Sequence, residues 1–149
     1  MKKFYELLDT RFPLPITVVL TPISDTPPHV ELIINGTGVY AGRPTNATHI
    51  DHRVFSDENI SIELIISGKI YNMDSTSAVV LESLRMDGVE TVPYLSRHAV
   101  YQTDQAWGVY DKPTSHLGWN GRWRFDVGKP FFHIKHEIKN HGWLLTPNN

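Results

Sequence analysis

The stretch that decides the fold begins with Val30-Glu31-Leu32-Ile33-Ile34-Asn35-Gly36 and closes with Leu81-Glu82-Ser83-Leu84-Arg85-Met86-Asp87-Gly88. Asn-Gly and Asp-Gly are strong hairpin signals, because a type I′ turn needs two successive residues that tolerate positive φ. Between the two hairpins lies a third β-branched, apolar run, Ile60–Ile66. These features predict antiparallel β structure, which excludes most nucleotide-binding and redox scaffolds.

Short strand-like runs separated by turn signals continue on both sides of this stretch, which is typical of a sandwich or jelly roll. The further predicted strands are Ile16–Leu20, Val39-Tyr40, Thr48–Phe55, Val89–Val92, His98–Gln102, Trp107–Tyr110, Arg122–Phe125 and Phe131–Ile138. Phe4–Leu8 predicts a short N-terminal helical turn, since prolines at 13 and 15 forbid a longer helix. We expect one all-β domain over 1–149, an antiparallel β-sandwich or jelly roll with an N-terminal arm at 1–15 and a tail at 142–149.

Composition narrows the class of function. The 149 residues include no cysteine, which excludes thiol catalysis, zinc–thiolate sites and iron–sulfur clusters. Fourteen Lys and Arg against sixteen Asp and Glu leave a net charge of −2, so no general attraction to nucleic acid or to an anionic membrane follows. The N-terminus is basic but has no uninterrupted apolar run, so we expect no signal peptide, no membrane span, and synthesis in the cytoplasm.

One local pattern points to a metal. His49-Ile50-Asp51 places an imidazole and a carboxylate on the same face of a strand, the first half of a two-His-one-carboxylate triad. A third ligand would come from His98, His116, His133 or His136, and we take His133 as the candidate. The alternative is the polar face of an edge strand. No nucleophile elbow and no glycine-rich phosphate loop occur, so we expect no enzyme and no cofactor.

Large aromatic side chains are concentrated in the last third of the chain, where all four tryptophans lie. Flat rings beside Asn, Asp and Arg are a common means of binding sugars, because the ring face stacks on C–H groups while polar neighbours bind the hydroxyls. The candidate glycan-binding residues are Trp107, Tyr110, Trp119, Asn120 and Trp123. The alternative is that Trp123 and Phe125 belong to the core and the remaining rings close the sandwich ends or a subunit contact.

The same third is locally basic, with Arg122, Arg124, Lys129, Lys135 and Lys139 between aromatic residues. Such a pattern can bind single-stranded nucleic acid by stacking and phosphate contacts. Asp126, Glu137 and the slightly acidic total argue against that function.

The order of parts from Ile16 to Val92 resembles that of the calcium-dependent, xylan-binding type of carbohydrate-binding module. A strand leads into the Asn35-Gly36 hairpin, followed by a strand ending Arg53-Val54-Phe55, the apolar run Ile60–Ile66, a polar loop, and the strand that ends at Asp87-Gly88. The resemblance implies a β-sandwich. Those modules gather several carboxylates around calcium in the polar loop, whereas Ser67–Ser77 holds only Asp74. We therefore expect this chain to have the fold of those modules but not their calcium-binding residues.

The sequence favours a non-catalytic sandwich that acts as a structural or recognition subunit, with a virus or phage particle as the setting. We expect its partners to be other protein subunits, in a homo-oligomer or larger assembly contacted through 1–15 and 142–149. The alternatives are a carbohydrate-binding module that uses exposed tryptophans and a small metal-dependent jelly-roll enzyme that uses His49, Asp51 and His133.

Overall fold

A computed structural model of the protein describes residues 13–55, 59–69, 71, 76–127 and 138. Eleven β-strands and one helix have described bounds, and Ile138 is also helical. The elements are β1 (Pro13–Ile23), β2 (His29–Ile34), β3 (Thr37–Gly42), β4 (Thr48–Phe55), β5 (Ile60–Ser67), β6 (Ala78–Met86), β7 (Val89–Glu90), α1 (Val92–His98), β8 (Val100–Thr103), β9 (Val109–Tyr110), β10 (His116–Leu117) and β11 (Gly121–Val127).

The strands form two antiparallel sheets, so the predicted β-sandwich is confirmed. The five-stranded sheet has the order β10-β6-β1-β4, with β7 also paired to β6, and the six-stranded sheet has the order β3-β2-β5-β11-β8-β9. In the described part of the chain, β9 and β10 are therefore edge strands, one in each sheet. The segment 111–120 runs from β9 to β11 through β10 and connects these two edges.

The core is built from alternate residues of the two inner faces. In the six-stranded sheet one cross-strand row joins Leu32 of β2, Leu64 of β5 and Trp123 of β11. All three side chains are buried, with 1% or less of their surface exposed. Because side chains of a strand alternate between faces, Phe125 lies on the same inner face as Trp123 and is equally buried.

Both predicted hairpin turns are present. Asn35 and Gly36 have φ of 49° and 80°, and Asp87 and Gly88 have φ of 52° and 77°. Two positive φ values in succession are what a type I′ turn requires. The Asn35 side chain also accepts a hydrogen bond from the Ser61 amide at 2.8 Å, so this turn is attached to β5.

β1 is longer than the sequence predicts, and this corrects the placement of both its ends. The strand includes Pro13, Pro15 and Pro22, which the sequence assigned to the arm and to a loop. Among the described strands, 13–15 pair with β4 alone and 21–23 with β6 alone, and proline is tolerated where a strand has one neighbour. The Pro15 carbonyl accepts a hydrogen bond from the Asp87 amide at 2.9 Å, which needs no donor from proline.

The helix α1 is a second correction, since the sequence assigned Val92 and His98 to strands. Thr91 and Pro93 at its start and Arg97 and His98 in its last turn are ordinary helix-end residues. Leu95 is buried, and the Tyr94 ring contacts Phe125 with centroids 6.1 Å apart. The helix therefore contacts β6 of the five-stranded sheet and, through Tyr94, the inner-face residue Phe125 of the six-stranded sheet.

Glu90 holds the start of α1. Its carboxylate accepts hydrogen bonds from the amides of Leu84, Thr91 and Val92 at 3.0, 3.1 and 3.3 Å. Burial alone would raise the pKa of Glu90, but these bonds and one from the Ser83 hydroxyl lower it below its usual value. An ionised carboxylate at this position satisfies amides that the helix leaves unpaired.

Some predictions lie outside the described residues. The helical turn Phe4–Leu8, the tail 142–149 and the arm up to residue 12 are among them. Of the predicted strand Phe131–Ile138, only Ile138 is described, and it is helical rather than extended. The single-domain boundary stays a prediction. Among the described residues there is no helix with the length and apolar character to cross a membrane.

Candidate functional site

Three aromatic side chains meet between the edge strands β9 and β10, and we name Trp107, Tyr110 and Trp119 the aromatic edge. Trp107 lies in the loop between β8 and β9, Tyr110 lies on β9, and Trp119 follows β10. The ring centroids of Trp107 and Trp119 are 5.1 Å apart with a near-perpendicular angle of 85°. Tyr110 lies 5.2 Å from Trp119 and 6.1 Å from Trp107. These are favourable aromatic separations, so the three rings form one continuous surface.

Trp107 is the exposed member of the aromatic edge, with 52% of its surface accessible, while Tyr110 and Trp119 are half-buried. Beneath them lies Tyr101, which is 2% exposed and pairs with Tyr110 across β8 and β9. The Tyr101 hydroxyl donates to the Trp119 carbonyl at 2.5 Å and accepts from the Trp119 amide at 2.9 Å. Burial raises the pKa of Tyr101 far above its usual range, so the hydroxyl stays protonated and fixes Trp119.

The chain after Trp119 is fixed by Asn120. Its side-chain oxygen accepts from the Lys69 amide at 2.9 Å, and its side-chain nitrogen donates to the Lys69 carbonyl at 3.2 Å. Lys69 is itself 8% exposed, and its ammonium donates to the Gly118 carbonyl at 2.5 Å. Asn120, predicted to contact a glycan, joins two loops through both polar atoms of its side chain, and its contact with a glycan stays a prediction.

Gly121 allows β11 to approach β8 closely. A Cβ atom at this position would lie 2.1 Å from the Gln102 carbonyl oxygen and 2.8 Å from the Thr103 Cα. No side chain fits there, because both atoms belong to the neighbouring backbone. Residues 118–121 thus connect the aromatic edge to the sheet through close backbone contacts.

A second polar contact joins Tyr71 and Asp104. The Tyr71 hydroxyl donates to Asp104 Oδ1 at 2.6 Å and accepts from the Asn120 amide at 2.9 Å. Burial, together with the hydrogen bond to the Asp104 carboxylate, raises the pKa of Tyr71. The Asp104 amide donates to the Asn120 carbonyl at 2.9 Å. The loop that carries Trp107 is therefore bonded directly to the residue after Trp119.

Trp123, another residue of the predicted glycan site, lies in the core. Its indole is 1% exposed, and its Nε1 donates to the Thr114 carbonyl at 3.2 Å. A ring without an accessible face cannot stack on a sugar, and the alternative reading of Trp123 and Phe125 as core residues agrees with the structure. Of the five candidates, the structure brings Trp107, Tyr110 and Trp119 together on one surface.

The metal prediction finds no support in the described part of the chain. His49 and Asp51 lie on the exposed face of the edge strand β4, as the polar-face alternative holds, and Asp51 accepts a hydrogen bond from the Thr17 hydroxyl at 2.9 Å. His133 and His136 lie outside the described residues, and His98 and His116 are exposed. Within 13–55, 59–69, 71, 76–127 and 138, no three His, Asp or Glu side chains are grouped so as to hold an ion.

The basic stretch of the last third is neutralised where it is described. On the outer face of the six-stranded sheet, Arg122 and Arg124 lie 3.2 and 3.9 Å from the Glu63 carboxylate. Arg124 also pairs with Asp126 at 2.8 Å. Ion-paired guanidinium groups give no excess positive charge for phosphate binding, which agrees with the expectation against nucleic acid. Lys129, Lys135 and Lys139 lie outside the described residues.

Sequence reasoning missed Lys69, Tyr71 and Asp104. Tyr71 and Asp104 are 33 positions apart and belong to different loops, so no local pattern connects them. The only available signal was the position of Asp104 at the start of a tryptophan-containing loop.

Comparison with solved structures identifies the same fold in a carbohydrate-binding module. The structure of vCBM60 in complex with galactobiose has 18% sequence identity to this chain and a TM-score of 0.51, over 76% of this chain and 99% of the module. The selenomethionine form of vCBM60, described as a calcium-dependent carbohydrate-binding module, has 16% identity and a TM-score of 0.49, over 76% and 90%. The fold resemblance predicted from Ile16–Val92 is therefore confirmed.

No protein-family profile matches the chain, and no curated protein matches it. The calcium described for that module has no counterpart in the side chains described here, because they include no cluster of carboxylates. Asp74, the one acidic residue of the loop Ser67–Ser77, lies outside the described residues. The described residues thus do not fit a calcium ion.

Proposed function

We propose that the protein is a non-catalytic carbohydrate-binding module that stacks a sugar ring on the aromatic edge. The observation that carries the proposal is the continuous surface of Trp107, Tyr110 and Trp119, in which the most exposed ring is an indole. An indole face is apolar and electron-rich, and it suits the C–H face of a pyranose. Tyr101, Asn120 and Lys69 hold this surface in place from below, so little ordering would be needed on binding.

The comparisons favour this function over the assembly subunit that the sequence placed first. A module of the same fold binds galactobiose, and no virion or phage protein is among the solved structures found. The assembly function and the homo-oligomer stay predictions, because most of the arm and the whole tail that they depend on lie outside the described residues. The expected absence of catalysis is consistent with neighbours that are binding modules.

The test is titration of intrinsic tryptophan fluorescence against a glycan panel that includes galactobiose, with calorimetry on each glycan that gives a response. We expect Trp107→Ala to weaken binding by about tenfold, equivalent to about 1.4 kcal/mol. Val100→Ala is the matched control, since Val100 is 54% exposed and lies on the outer face of β8. Absence of binding to every glycan, or an unchanged affinity in Trp107→Ala, would contradict the proposal.

The same titration in calcium and in EDTA tests the metal separately. Because the proposed contact is stacking by side chains of this chain, we expect equal affinity in both solutions. A loss of binding in EDTA would mean that residues beyond those described contribute a metal ligand set, and it would restore the calcium site that the fold comparison raises.

A further inference from the structure

Asp104 is an exposed carboxylate in the same loop as Trp107. It begins the segment Asp104–Gly108 between β8 and β9, and Trp107 lies three residues later. The loop is closed by its own hydrogen bonds: the Thr103 amide donates to the Gly108 carbonyl at 3.0 Å, and the Gly108 amide donates to the Gln105 carbonyl at 2.9 Å. The separation of the carboxylate from the exposed indole is thus set by a short, internally bonded loop.

The Asp104 carboxylate is also oriented by contacts from outside this loop and by one from within it. Oδ1 accepts from the Tyr71 hydroxyl at 2.6 Å and from Gln105 Nε2 at 2.9 Å. The Asp104 backbone amide donates to the Asn120 carbonyl, immediately after Trp119. The carboxylate is therefore placed relative to both tryptophans of the aromatic edge.

The side chains of Tyr71, Gln105 and Asn120 donate to the Asp104 carboxylate, and an ionised carboxylate has about four acceptor positions. Acceptor capacity remains for a ligand, and a sugar hydroxyl is the matching donor. Partial desolvation would raise the pKa of Asp104, but the hydrogen bonds from Tyr71, Gln105 and Asn120 outweigh it and lower the pKa. The group is then charged at neutral pH.

Three other charged residues belong to the same network or to the segment after β9. The Lys69 ammonium lies 5.2 Å from the centre of the Tyr71 ring, where it is buried and donates to the Gly118 carbonyl. Asp111 and Lys112, exposed in the segment after β9, carry opposite charges. Within the loop Asp104–Gly108, the charge exposed to a ligand is therefore that of Asp104.

We propose that Asp104 is a specificity-determining residue of the aromatic edge, where it accepts hydrogen bonds from the hydroxyls of a stacked sugar and disfavours sugars that carry an anionic group. This inference rests on the proposed function. Two charge effects act in the same direction: the carboxylate strengthens a hydrogen bond to a neutral hydroxyl, and it repels a carboxylate, sulfate or phosphate on the ligand. The preferred ligand class is a neutral glycan.

The test compares galactobiose with digalacturonic acid, two disaccharides that differ in having carboxylates on the sugar rings. Calorimetry on the full chain is expected to show at least a tenfold preference of the wild type for galactobiose, since one close charge repulsion and one lost hydrogen bond together amount to about this factor. Asp104→Asn keeps the shape and removes the charge. It should weaken galactobiose binding about fivefold and reduce the preference to about twofold.

Trp107→Ala is the matched comparison, because it should weaken both sugars alike and leave their ratio unchanged. If Trp107→Ala loses affinity while Asp104→Asn alters neither affinity nor ratio, the role of Asp104 is wrong and carbohydrate binding stands. If the wild type binds no neutral glycan, the proposed function is wrong and this inference falls with it. Should Asp104→Asn fail to fold, Asp104→Glu replaces it. Weaker galactobiose binding with an unchanged ratio of the affinities for the two sugars supports the inference. An unchanged affinity for galactobiose overturns it.

Discussion

The strand pair β2–β5 and the aromatic edge are stabilised in different ways. β2 and β5 are six and eight residues long, and they alternate between buried and half-buried residues along a continuous ladder. β9 and β10, which flank the aromatic edge, have two residues each. There the chain is fixed by side chains bonded to backbone, as Asn120 is to Lys69 and Tyr101 to Trp119. The core is thus stabilised by many similar contacts along the strands, and the candidate site by a few individual hydrogen bonds.

The largest expected effect comes from the core side of this comparison. Leu64→Ala removes a fully buried side chain between Leu32 and Trp123, and it should lower the free energy of unfolding by about 3–4 kcal/mol. Its neighbour Ile65 is half-buried on the outer face, so Ile65→Ala should cost only about 1 kcal/mol. Urea denaturation of both variants measures the difference. Equal losses would mean that the two faces of β5 are not distinguished by burial.

Gly121→Ala tests the closest backbone contact next to the aromatic edge. The added methyl would meet the Gln102 carbonyl and the Thr103 Cα, so we expect a loss of about 3 kcal/mol in urea denaturation. Gly38→Ala is the control, because a Cβ at Gly38 meets no atom within 4 Å. A Gly121→Ala protein as stable as the control would show that β8 and β11 separate easily, and that the edge is less fixed than the core.

Asn120→Ala examines the side-chain contacts themselves. The change removes two hydrogen bonds to the Lys69 backbone, which predicts a loss of about 2 kcal/mol. It should also speed hydrogen exchange at the Lys69 and Asn120 amides and leave those of β5 protected. Asn46→Ala, at an exposed asparagine, should stay within about 0.5 kcal/mol of the wild type. Uniform exchange changes across the sandwich would mean that edge and core unfold as one unit.

The smallest effect concerns Glu90, whose exposed carboxylate bonds the amides at the start of α1. Because its pKa is lower in the folded protein than in the unfolded chain, its stabilisation is complete above the unfolded pKa, near 4.3, and is lost as pH falls through the folded pKa. Because solvent screens the exposed part of this carboxylate, Glu90→Gln should be less stable than the wild type by only about 0.5 kcal/mol at pH 7, and the difference should disappear in acid. Thermal melts across this pH range measure it, and a difference independent of pH would exclude the charge as its origin.

The contrast between core and edge also explains what the sequence could predict. Asn35-Gly36, Asp87-Gly88 and the alternation of Ile60–Ile66 specify turns and faces within a few residues, so these elements were predicted correctly. Trp107 and Trp119 were predicted to lie at a glycan-binding site only because large aromatic residues are concentrated in the last third of the chain. Trp123 and Phe125 are two residues apart on a strand and so share a face, which indicated a core position for Trp123. The sequence left this interpretation open beside that of a glycan-binding residue.

The contacts that fix the aromatic edge were not predictable in the same way. Tyr71 meets Asp104, and Lys69 meets Asn120, only after strands distant in sequence have paired. The prolines of β1 were placed outside the strand for a related reason. Whether a strand accepts proline depends on where the neighbouring strands end, which the sequence does not show. The start of α1, by contrast, carried its own signals in Thr91 and Pro93, which periodicity-based reasoning overlooked.

Those prolines have a consequence for the behaviour of the protein in concentrated solution. Among the described strands, the two ends of β1 extend past one neighbour each, and such overhangs normally offer backbone donors to which a strand of another molecule can attach. Pro13 and Pro15 at one end and Pro22 at the other supply no donor. The longest strand of the sandwich is thereby protected from templating intermolecular sheets, and resistance to aggregation is part of what its sequence encodes.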